Sequence, residues 1–436
     1  MTRNRVITAI DVGTDKCVTL IAALEEPNNS LRVMGISAVP SRGMKRSQII
    51  DLERVLESIT ESLDGAERMA GLEVKSAFVS ISGTHIHSQN SKGVVAVASP
   101  NKEIIPDDVD RVIEAARAIS LSSEREIVHV IPKDFRVDSQ EGIKDPVGMT
   151  GVRLESEAHL ITGLSAVLKN LEKCILDLGL QVDGFIFSGL ASASVVLSET
   201  EKELGVAVVD IGAGSTSLCV YVDGSLEYSA ALPVGARHIT QDIALGCKVS
   251  LDSAEKIKIA LSKEAFKPLT PISGESKTEF NKRKDAADKL KLSDFDHTSD
   301  SSESFSKKEI VQRIMLPRMQ EIFALVSDEL KSQNLLPLIP AGIVITGGGA
   351  QTTKIAEIAK RELNLSARIG TPIELQGLTN DIAKPEYATS IGLLHLGKKQ
   401  TGGSPTGGFS IGSLFGSMQF SSIPSKISEL FKSLLP

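Results

Sequence analysis

Two stretches of this chain have the same order: an apolar strand, an aspartate, a tight glycine turn and a second apolar strand. The first begins near Val6 and turns at Asp11-Val-Gly13-Thr14. The second begins near Val206 and turns at Asp210-Ile-Gly212-Ala-Gly214-Ser215. Either turn alone is compatible with an ordinary hairpin. Because both occur at corresponding places of a repeated pattern, and strands and helices alternate between them, the sequence predicts an α/β chain with two related lobes.

Length and charge agree with this prediction and exclude several classes of protein. The chain has 436 residues, more than one hydrophobic core usually supports. Its net charge is −7 and no dense basic stripe occurs, so we expect no nucleic-acid partner. No apolar run reaches about 18 residues, and the 4 cysteines lack C-x-x-C spacing. We therefore expect a cytosolic protein with reduced thiols that does not span a membrane.

The two glycine turns have the chemistry of phosphate-binding loops. Glycine allows successive backbone N–H groups to approach a phosphate without obstruction by a Cβ atom. Thr14 and Ser215 each add a hydroxyl donor, and Asp11 and Asp210 can hold water on Mg²⁺. Two such turns that face each other predict a site for ATP and Mg²⁺, in which the two aspartates bind the metal and have the catalytic role.

Two further features are candidates for binding adenosine. The strand Ile343-Val-Ile-Thr346 ends in Gly347-Gly348-Gly349, where the backbone could lie flat against adenine or the α-phosphate. The alternative is a strand-to-helix turn with glycines for tight packing. Glu255 and Lys258 are three residues apart on a predicted helix, so a carboxylate and an ammonium point to one side. A solvated ion pair is the commoner explanation for that spacing.

The composition predicts how the rest of the chain is divided. The strand-like stretch Gly93 to Ala98 and the helix that begins at Pro106-Asp-Asp form a block that looks inserted into the first lobe. Within the second lobe, residues 263–308 are rich in Ser, Lys, Asp and Glu and too polar to bury much surface, which predicts a mobile insertion. A Gly/Ser-rich linker over 398–422 and an amphipathic helix over 423–436 end the chain.

The last segment has the pattern of a membrane-binding helix. Five apolar residues recur at helical spacing, and lysines beside them can meet anionic lipid headgroups. The segment is too short to span a bilayer, so it would lie in the interface. The alternative is a helix that docks on its own domain, although the preceding linker favours a tether. The apolar stripe comprises Ile427, Leu430, Phe431, Leu434 and Leu435, and the lysines are Lys426 and Lys432.

The order of these motifs resembles the superfamily of actin, Hsp70 and the sugar kinases. Within it, the chain is similar to bacterial cell-division protein FtsA. The most specific resemblance is Glu141-Gly-Ile-Lys-Asp-Pro-Val-Gly-Met-Thr-Gly-Val-Arg-Leu154. Further matching stretches are Ser41-Arg-Gly-Met44, Asp51-Leu-Glu53, Ser188-Gly-Leu-Ala-Ser192, Val344-Ile-Thr-Gly-Gly-Gly349 and Ile391-Gly-Leu-Leu-His395. The resemblance covers nearly all of the chain except the polar insertion and the linker.

This resemblance implies an actin-like two-lobed fold that holds ATP and Mg²⁺ between its lobes, with an α+β subdomain inserted at 84–160. The first-lobe core would then comprise residues 1–83 and 161–203, and the second lobe residues 204–397, the last part of which returns to the first lobe. Where the family commonly has Gly-Gly-Gly-Thr in its second turn, this chain has Ala213 and Ser215. A methyl at Ala213 is tolerated if its φ is negative, so we expect ATP binding with at most slow hydrolysis. The residues that match the family's nucleotide contacts are Asp11, Gly13, Thr14, Asp210, Gly212, Gly214, Ser215, Glu255, Lys258, Gly347 and Gly348.

The resemblance also implies partners and a location. It implies filaments of this chain on the cytoplasmic face of the bacterial inner membrane at the division site. These would bind the C-terminal peptide of FtsZ and recruit later division proteins. Arg318 is the candidate contact for that peptide, and a solvated helix face is the alternative. A sugar-type kinase and a chaperone-like ATPase are the competing interpretations. No motif for a small acceptor stands out, and no peptide-binding domain is present.

Overall fold

The computed structural model describes residues 5–25, 30–99, 101–263, 270–273, 275–295, 304–372, 375–377 and 382–401. The predicted membrane-binding helix and the predicted linker from residue 402 onward lie outside these ranges. No helix within the described ranges is long and apolar enough to cross a membrane.

Two sheets with the same strand order form the centres of the two lobes. In each sheet a three-stranded antiparallel meander is followed by two strands that pair in parallel beside its first strand. The first sheet has the order Gln181–Phe187, Ser76–Ile81, Val6–Val12, Lys16–Glu25, Ser30–Pro40 and Gln376–Gly377. The second has the order Ser225–Leu232, Thr216–Val222, Val206–Ile211, Ile343–Thr346 and Ala367–Ile369. The repeat seen in the sequence therefore extends through five strands of each sheet.

Helices cover these sheets with amphipathic faces. Leu52–Ala70 begins at Asp51, whose side chain accepts a hydrogen bond from the Arg54 N–H, and ends at Gly71 in the left-handed conformation. Such caps satisfy backbone groups that the helix leaves unpaired. The helix buries Val55, Ile59 and Leu63 against the first sheet. The other helices of the lobes are Ser165–Leu176, Ser188–Val196, Glu199–Leu204, Arg237–Cys247, Leu251–Lys263, Lys277–Asp288, Lys307–Glu309, Leu316–Ser332, Ile355–Leu363 and Ala388–Thr401.

A third sheet is formed by residues that come, in the sequence, between the strands Ser76–Ile81 and Gln181–Phe187 of the first sheet. Its strands have the spatial order His87–Ala96, Arg153–Leu164, Arg125–Val137 and Gln140–Ile143. The helix Pro106–Arg117 packs on it and contributes Val109, Val112 and Ala116 to a separate hydrophobic core. This α+β unit is called the insert below.

The polar segment over 263–308 has more structure than its composition suggests. The helix Lys277–Asp288 buries none of its residues, and the strands Lys289–Lys291 and Ser304–Ser306 form an antiparallel pair. Leu290 and Leu292 nevertheless lie in the second-lobe core, with exposed fractions of 3% and 1%. The prediction that this segment buries little surface was therefore wrong at these two leucines.

Two helices connect the lobes. Ser188–Val196 and Ala388–Thr401 cross in contact, and both pack into the core of the first lobe. The second helix begins at Ala388 and continues through Thr401. Residues 398–401, which were predicted to belong to the linker, are therefore helical. Leu393, Leu394 and Leu396 of the same helix are buried and hold it on the sheet.

The insert contacts the second lobe as well as the first. Its edge strand His87–Ala96 faces the edge strand Ser225–Leu232 of the second sheet. The Ser88 hydroxyl donates to the Ser229 carbonyl (2.6 Å) and accepts from the Ser229 N–H (3.1 Å). Buried His159 bonds Asn90 and the Ser229 hydroxyl at 2.7 and 3.0 Å. Polar contacts thus join the insert to the edge of the second lobe.

Buried histidines make this fold sensitive to acid. His129 is fully buried, and its Nε2 accepts the Phe187 backbone N–H at 2.9 Å. Burial lowers the pKa values of His129 and His159 to about 3. In the unfolded chain these histidines bind protons below about pH 6.5, whereas in the folded chain they do so only near pH 3. We therefore expect the free energy of unfolding to fall as pH drops from about 6.5 toward 3.

The measurement is urea unfolding at several pH values between 7.5 and 5. Each neutral histidine steepens the fall by up to about 1.4 kcal/mol per pH unit. His129→Asn cannot titrate, so its unfolding free energy should decline less steeply than that of the unaltered chain. Parallel slopes for the two proteins would show that His129 does not contribute.

Candidate functional site

A cavity of about 560 Å³ lies between the two lobes. All eleven residues that the sequence predicts to contact the nucleotide line it, although they come from separate parts of the chain. They are Asp11, Gly13, Thr14, Asp210, Gly212, Gly214, Ser215, Glu255, Lys258, Gly347 and Gly348. The fold therefore brings the predicted residues to one place.

The two glycine turns have equivalent hydrogen bonds. The Gly13 N–H donates to the Lys16 carbonyl and the Gly212 N–H donates to the Ser215 carbonyl, both at 3.0 Å. Each turn joins the first and second strands of its own sheet. Ala213 does not have a positive φ, which is the condition under which its methyl is tolerated.

Hydroxyl groups hold both aspartates. Ser80 donates to Asp11 at 2.6 Å, and Ser192 donates to Asp210 at the same distance. The first turn of Ala388–Thr401 adds one hydroxyl to each, because Thr389 donates to Asp210 (3.1 Å) and Ser390 to Asp11 (3.4 Å). A connecting helix therefore touches the acidic group of each lobe.

Burial changes the acidity of both carboxyl groups. Desolvation raises the pKa of Asp11, and it raises the pKa of Asp210 to about 6 with a further contribution from the negative charge of Asp11. In the described part of the chain, neither carboxylate forms an ion pair with a lysine or arginine. Two buried carboxylates that repel each other favour a cation between them.

At the other end of the cavity, Glu255 and Lys258 form an ion pair of 2.8 Å. Thr240 joins them, because its hydroxyl donates to Glu255 at 2.5 Å and accepts from Lys258 at 3.0 Å. The Lys258 side chain is 11% exposed and that of Glu255 is 35% exposed, so the pair lies in the cavity wall and is partly open to solvent. The sequence analysis missed Thr240, which lies on the neighbouring helix Arg237–Cys247 and has no motif of its own.

Lys16 is a second cavity residue that the sequence analysis missed. Its ammonium pairs with Glu386 at 2.8 Å and lies 4.0 Å from the centre of the Tyr387 ring. It directly follows the first turn, so a positive charge close to Thr14 was the available signal. Lys16 places a cation beside that turn.

Gly347 and Gly348 differ in their surroundings. Gly347 has φ 82° and ψ 175°, a conformation that is essentially restricted to glycine. A Cβ atom there would lie 2.2 Å from Asp210 Oδ1. A Cβ atom on Gly348 would meet no protein atom within 4 Å, so this glycine presents bare backbone to the cavity.

Arg318, the candidate partner contact, does not line the cavity. Its guanidinium donates to both carboxylate oxygens of Asp242, at 2.6 and 3.0 Å, and also to Glu321. The hydrogen bonds to Asp242 raise the pKa of Arg318 further. An acidic peptide would have to compete with these two carboxylates.

Solved structures with low sequence identity share this fold. The chain is similar to a chain of the PilM–PilN type IV pilus biogenesis complex, with a TM-score of 0.61 and 14% identity over 90% of this chain and 98% of that one. It is also similar to MreB5 of Spiroplasma citri bound to ADP, with a TM-score of 0.50 and 14% identity over 92% and 99%. The predicted actin-like α/β fold is confirmed.

Family models and relatives match more closely in sequence. A model described as "SHS2 domain inserted in FTSA" matches residues 83–162, and one described as "Cell division protein FtsA" matches residues 207–392. Cell division protein FtsA of Pseudomonas aeruginosa is 36% identical over 401 residues, which cover 92% of this chain and 91% of the relative.

FtsA proteins of two other bacteria give similar values. The protein of Borreliella burgdorferi is 38% identical over 402 residues, covering 90% of this chain and 91% of the relative. That of Escherichia coli K12 is 33% identical over 413 residues, covering 91% of each. The match extends through both lobes and the insert, and the chain therefore belongs to the FtsA family of cell-division proteins.

Proposed function

We propose that this chain binds ATP between its lobes and, in that state, assembles on the cytoplasmic membrane, where it tethers the FtsZ ring. The observation that carries the proposal is the convergence of the two glycine turns, the Glu255–Lys258 pair and the Gly347–Gly348 backbone on one cavity. The solved MreB5 structures bound to ADP and to AMPPNP support a nucleotide in this fold.

ATP would lie across the two lobes. Adenosine would occupy the end of the cavity with Glu255, Lys258 and the backbone of Gly348. The phosphates would lie between the turns that begin at Gly13 and Gly212, where backbone N–H groups and hydroxyls can donate to them. Because each turn belongs to a different lobe, a phosphate bound to both would favour the closed arrangement of the lobes.

The residues at the phosphate end fit Mg²⁺. Asp11 and Asp210 supply carboxylate oxygens, which this cation prefers. The described residues contain no group of three or more His, Cys, Asp or Glu suited to a metal, so water and phosphate oxygens would complete the coordination. Bound Mg²⁺ would neutralise phosphate charge. Each aspartate is fixed by two hydroxyls, so we propose a binding role for both and at most slow hydrolysis.

Membrane attachment would come from the last segment of the sequence. On a membrane, Leu430, Phe431 and their apolar neighbours would bury enough surface for weak, reversible binding by one copy. Filament formation would join many such anchors and strengthen attachment by avidity. The FtsZ peptide and later division proteins would then be held at the membrane, with Arg318 as a candidate contact for the acidic peptide.

A sedimentation experiment tests this function. The purified chain is pelleted with and without ATP and Mg²⁺, in the presence and absence of vesicles that contain anionic lipid. We expect ATP-dependent pelleting that Asp210→Asn reduces at least about tenfold, because the substitution removes a buried negative charge from the metal site. A Leu430→Glu, Phe431→Glu double variant should assemble but no longer float with vesicles.

The outcomes separate the parts of the proposal. Equal pelleting with and without ATP, for both the unaltered chain and Asp210→Asn, would refute nucleotide-gated assembly. Equal vesicle flotation of the double variant would refute the membrane anchor alone. ATP turnover that requires a small hydroxylated acceptor would instead identify a kinase.

A further inference from the structure

A short hairpin approaches both phosphate turns from the first lobe. Its strands Met44–Lys45 and Gln48–Ile49 are paired in register, so Arg46 and Ser47 form a two-residue loop. At its base, the Gly43 carbonyl accepts from the N–H groups of Ile50 and Asp51. The hairpin tip is therefore fixed relative to the helix that begins after Asp51.

The backbone of this tip is strained. Arg46 and Ser47 have φ values of 50° and 59°, the paired positive values of a type I′ turn that usually selects Asn-Gly. Residues other than glycine, asparagine and aspartate rarely have this backbone conformation. Strain of this kind is concentrated at functional sites.

Ser47 contacts the turn of each lobe. Its backbone N–H donates to the Thr14 hydroxyl at 2.9 Å, and its own hydroxyl lies 2.8 Å from the Ser215 hydroxyl. A Cβ atom on Gly214 would lie 2.9 Å from the Arg46 Cα, so the tip packs closely on the second turn. Ser47 also lines the cavity.

The Ser47 hydroxyl ends a chain of five serine hydroxyls. Ser215 is 3.2 Å from Ser82, which is 3.1 Å from Ser217, which is in turn 2.9 Å from Ser188. Four hydrogen bonds join these five hydroxyls, so one of their five protons remains available to an acceptor outside the chain. An anion at the Ser47 end would orient all the hydroxyls so that the Ser47 O–H donates a hydrogen bond to it, because aligned hydroxyls polarise one another.

We propose that Ser47 is a phosphate-binding residue whose hydroxyl donates a hydrogen bond to the terminal phosphate of the bound triphosphate. This inference rests on the proposed ATP site. The tip contacts the phosphate turns, whereas adenosine would lie at the Glu255–Lys258 end. Ser47 therefore contributes to affinity for the third phosphate, and this contribution distinguishes ATP from ADP.

The test is isothermal titration of the full chain with ATP and with ADP, each with Mg²⁺. Ser47→Gly removes the hydroxyl and accepts the positive φ without strain. Loss of a hydrogen bond to a charged group should weaken ATP binding about tenfold, while ADP binding changes less than about twofold. Arg46→Gly is the strain-matched control and should leave both affinities within about twofold, because it relieves a positive φ but removes no hydroxyl from the cavity.

A conservative variant gives a second readout. Ser47→Asn keeps a donor in a residue that tolerates the left-handed conformation, so it should retain more of the preference for ATP than Ser47→Gly. Unchanged ATP affinity in Ser47→Gly, or an equal loss for ATP and ADP, would overturn the inference. If the unaltered chain bound neither nucleotide, the proposed function itself would be refuted. That result differs from one in which the unaltered chain binds ATP and only the effect of Ser47→Gly is missing.

Discussion

Gly347→Ala is expected to lower the free energy of unfolding by about 2–4 kcal/mol and to abolish nucleotide binding. The backbone at Gly347 has a conformation that L side chains do not adopt. The added methyl would also lie 2.2 Å from Asp210 Oδ1 and 2.6 Å from the Ile211 carbonyl oxygen. Relief would require movement of the second-sheet strand that ends in Asp210, and this movement would displace the carboxylate from the phosphate site.

Gly348→Ala is the matched control for this substitution. A methyl there meets no protein atom within 4 Å, so the unfolding free energy should change by less than about 0.5 kcal/mol. The methyl would occupy space beside the bare backbone, where we place adenosine, and ATP affinity should fall. Urea unfolding and ATP titration of the pair separate the two effects. Equal destabilisation by both substitutions would contradict the structure.

Gly392→Ala is expected to cost about 3 kcal/mol or more of stability. At the crossing of the two connecting helices, a Cβ atom on Gly392 would lie 1.9 Å from the Ala191 carbonyl oxygen and 2.3 Å from its carbonyl carbon. These are backbone atoms, so no change of rotamer can make room. The helices would have to separate, which would disturb Ser192 and Thr389, the residues that hold Asp210.

The measurement is the urea midpoint of Gly392→Ala against Lys399→Ala, an exposed position on the same helix. The lysine variant should unfold close to the unaltered chain. If Gly392→Ala were equally stable, the close approach of the helices would be refuted.

The phosphate end of the site was predictable because its signals are local. In each turn, the aspartate, the glycine and the hydroxyl follow one another in the chain, and the strand pattern around them repeats. The three glycines after Thr346 were predictable for the same reason. Such short segments specify their own backbone shape, so the sequence is sufficient to identify them.

Residues that reach the site from distant segments could not be predicted in this way. Ser47, Thr240 and Ser390 are ordinary polar residues whose partners lie far away in the chain. Only the packing of hairpin, helix and sheet places their hydroxyls on Ser215, Glu255 and Asp11 respectively. The spacing of Glu255 and Lys258 likewise gave no sign of Thr240, because the sequence does not reveal which helix lies beside them.

The polar segment over 263–308 shows the limit of composition as a guide. Its high content of charged residues indicated a chain that buries little surface, and the helix Lys277–Asp288 agrees with that. Leu290 and Leu292 are nevertheless buried in the second-lobe core, and Phe295 and Phe305 pack against it. An average over many residues conceals such isolated anchors.

The contact between the insert and the second lobe has a mechanical consequence. Two crossing helices alone would form a pivot about which the lobes could swing. The hydrogen bonds from Ser88 to Ser229 and from His159 to Ser229 join the insert to the second lobe at a distance from these helices. They therefore oppose rotation of one lobe relative to the other. Any large opening of the cleft must therefore break these bonds or shift the insert relative to the edge strand Ser225–Leu232. A rotation of the lobes is thereby coupled to the position of the insert.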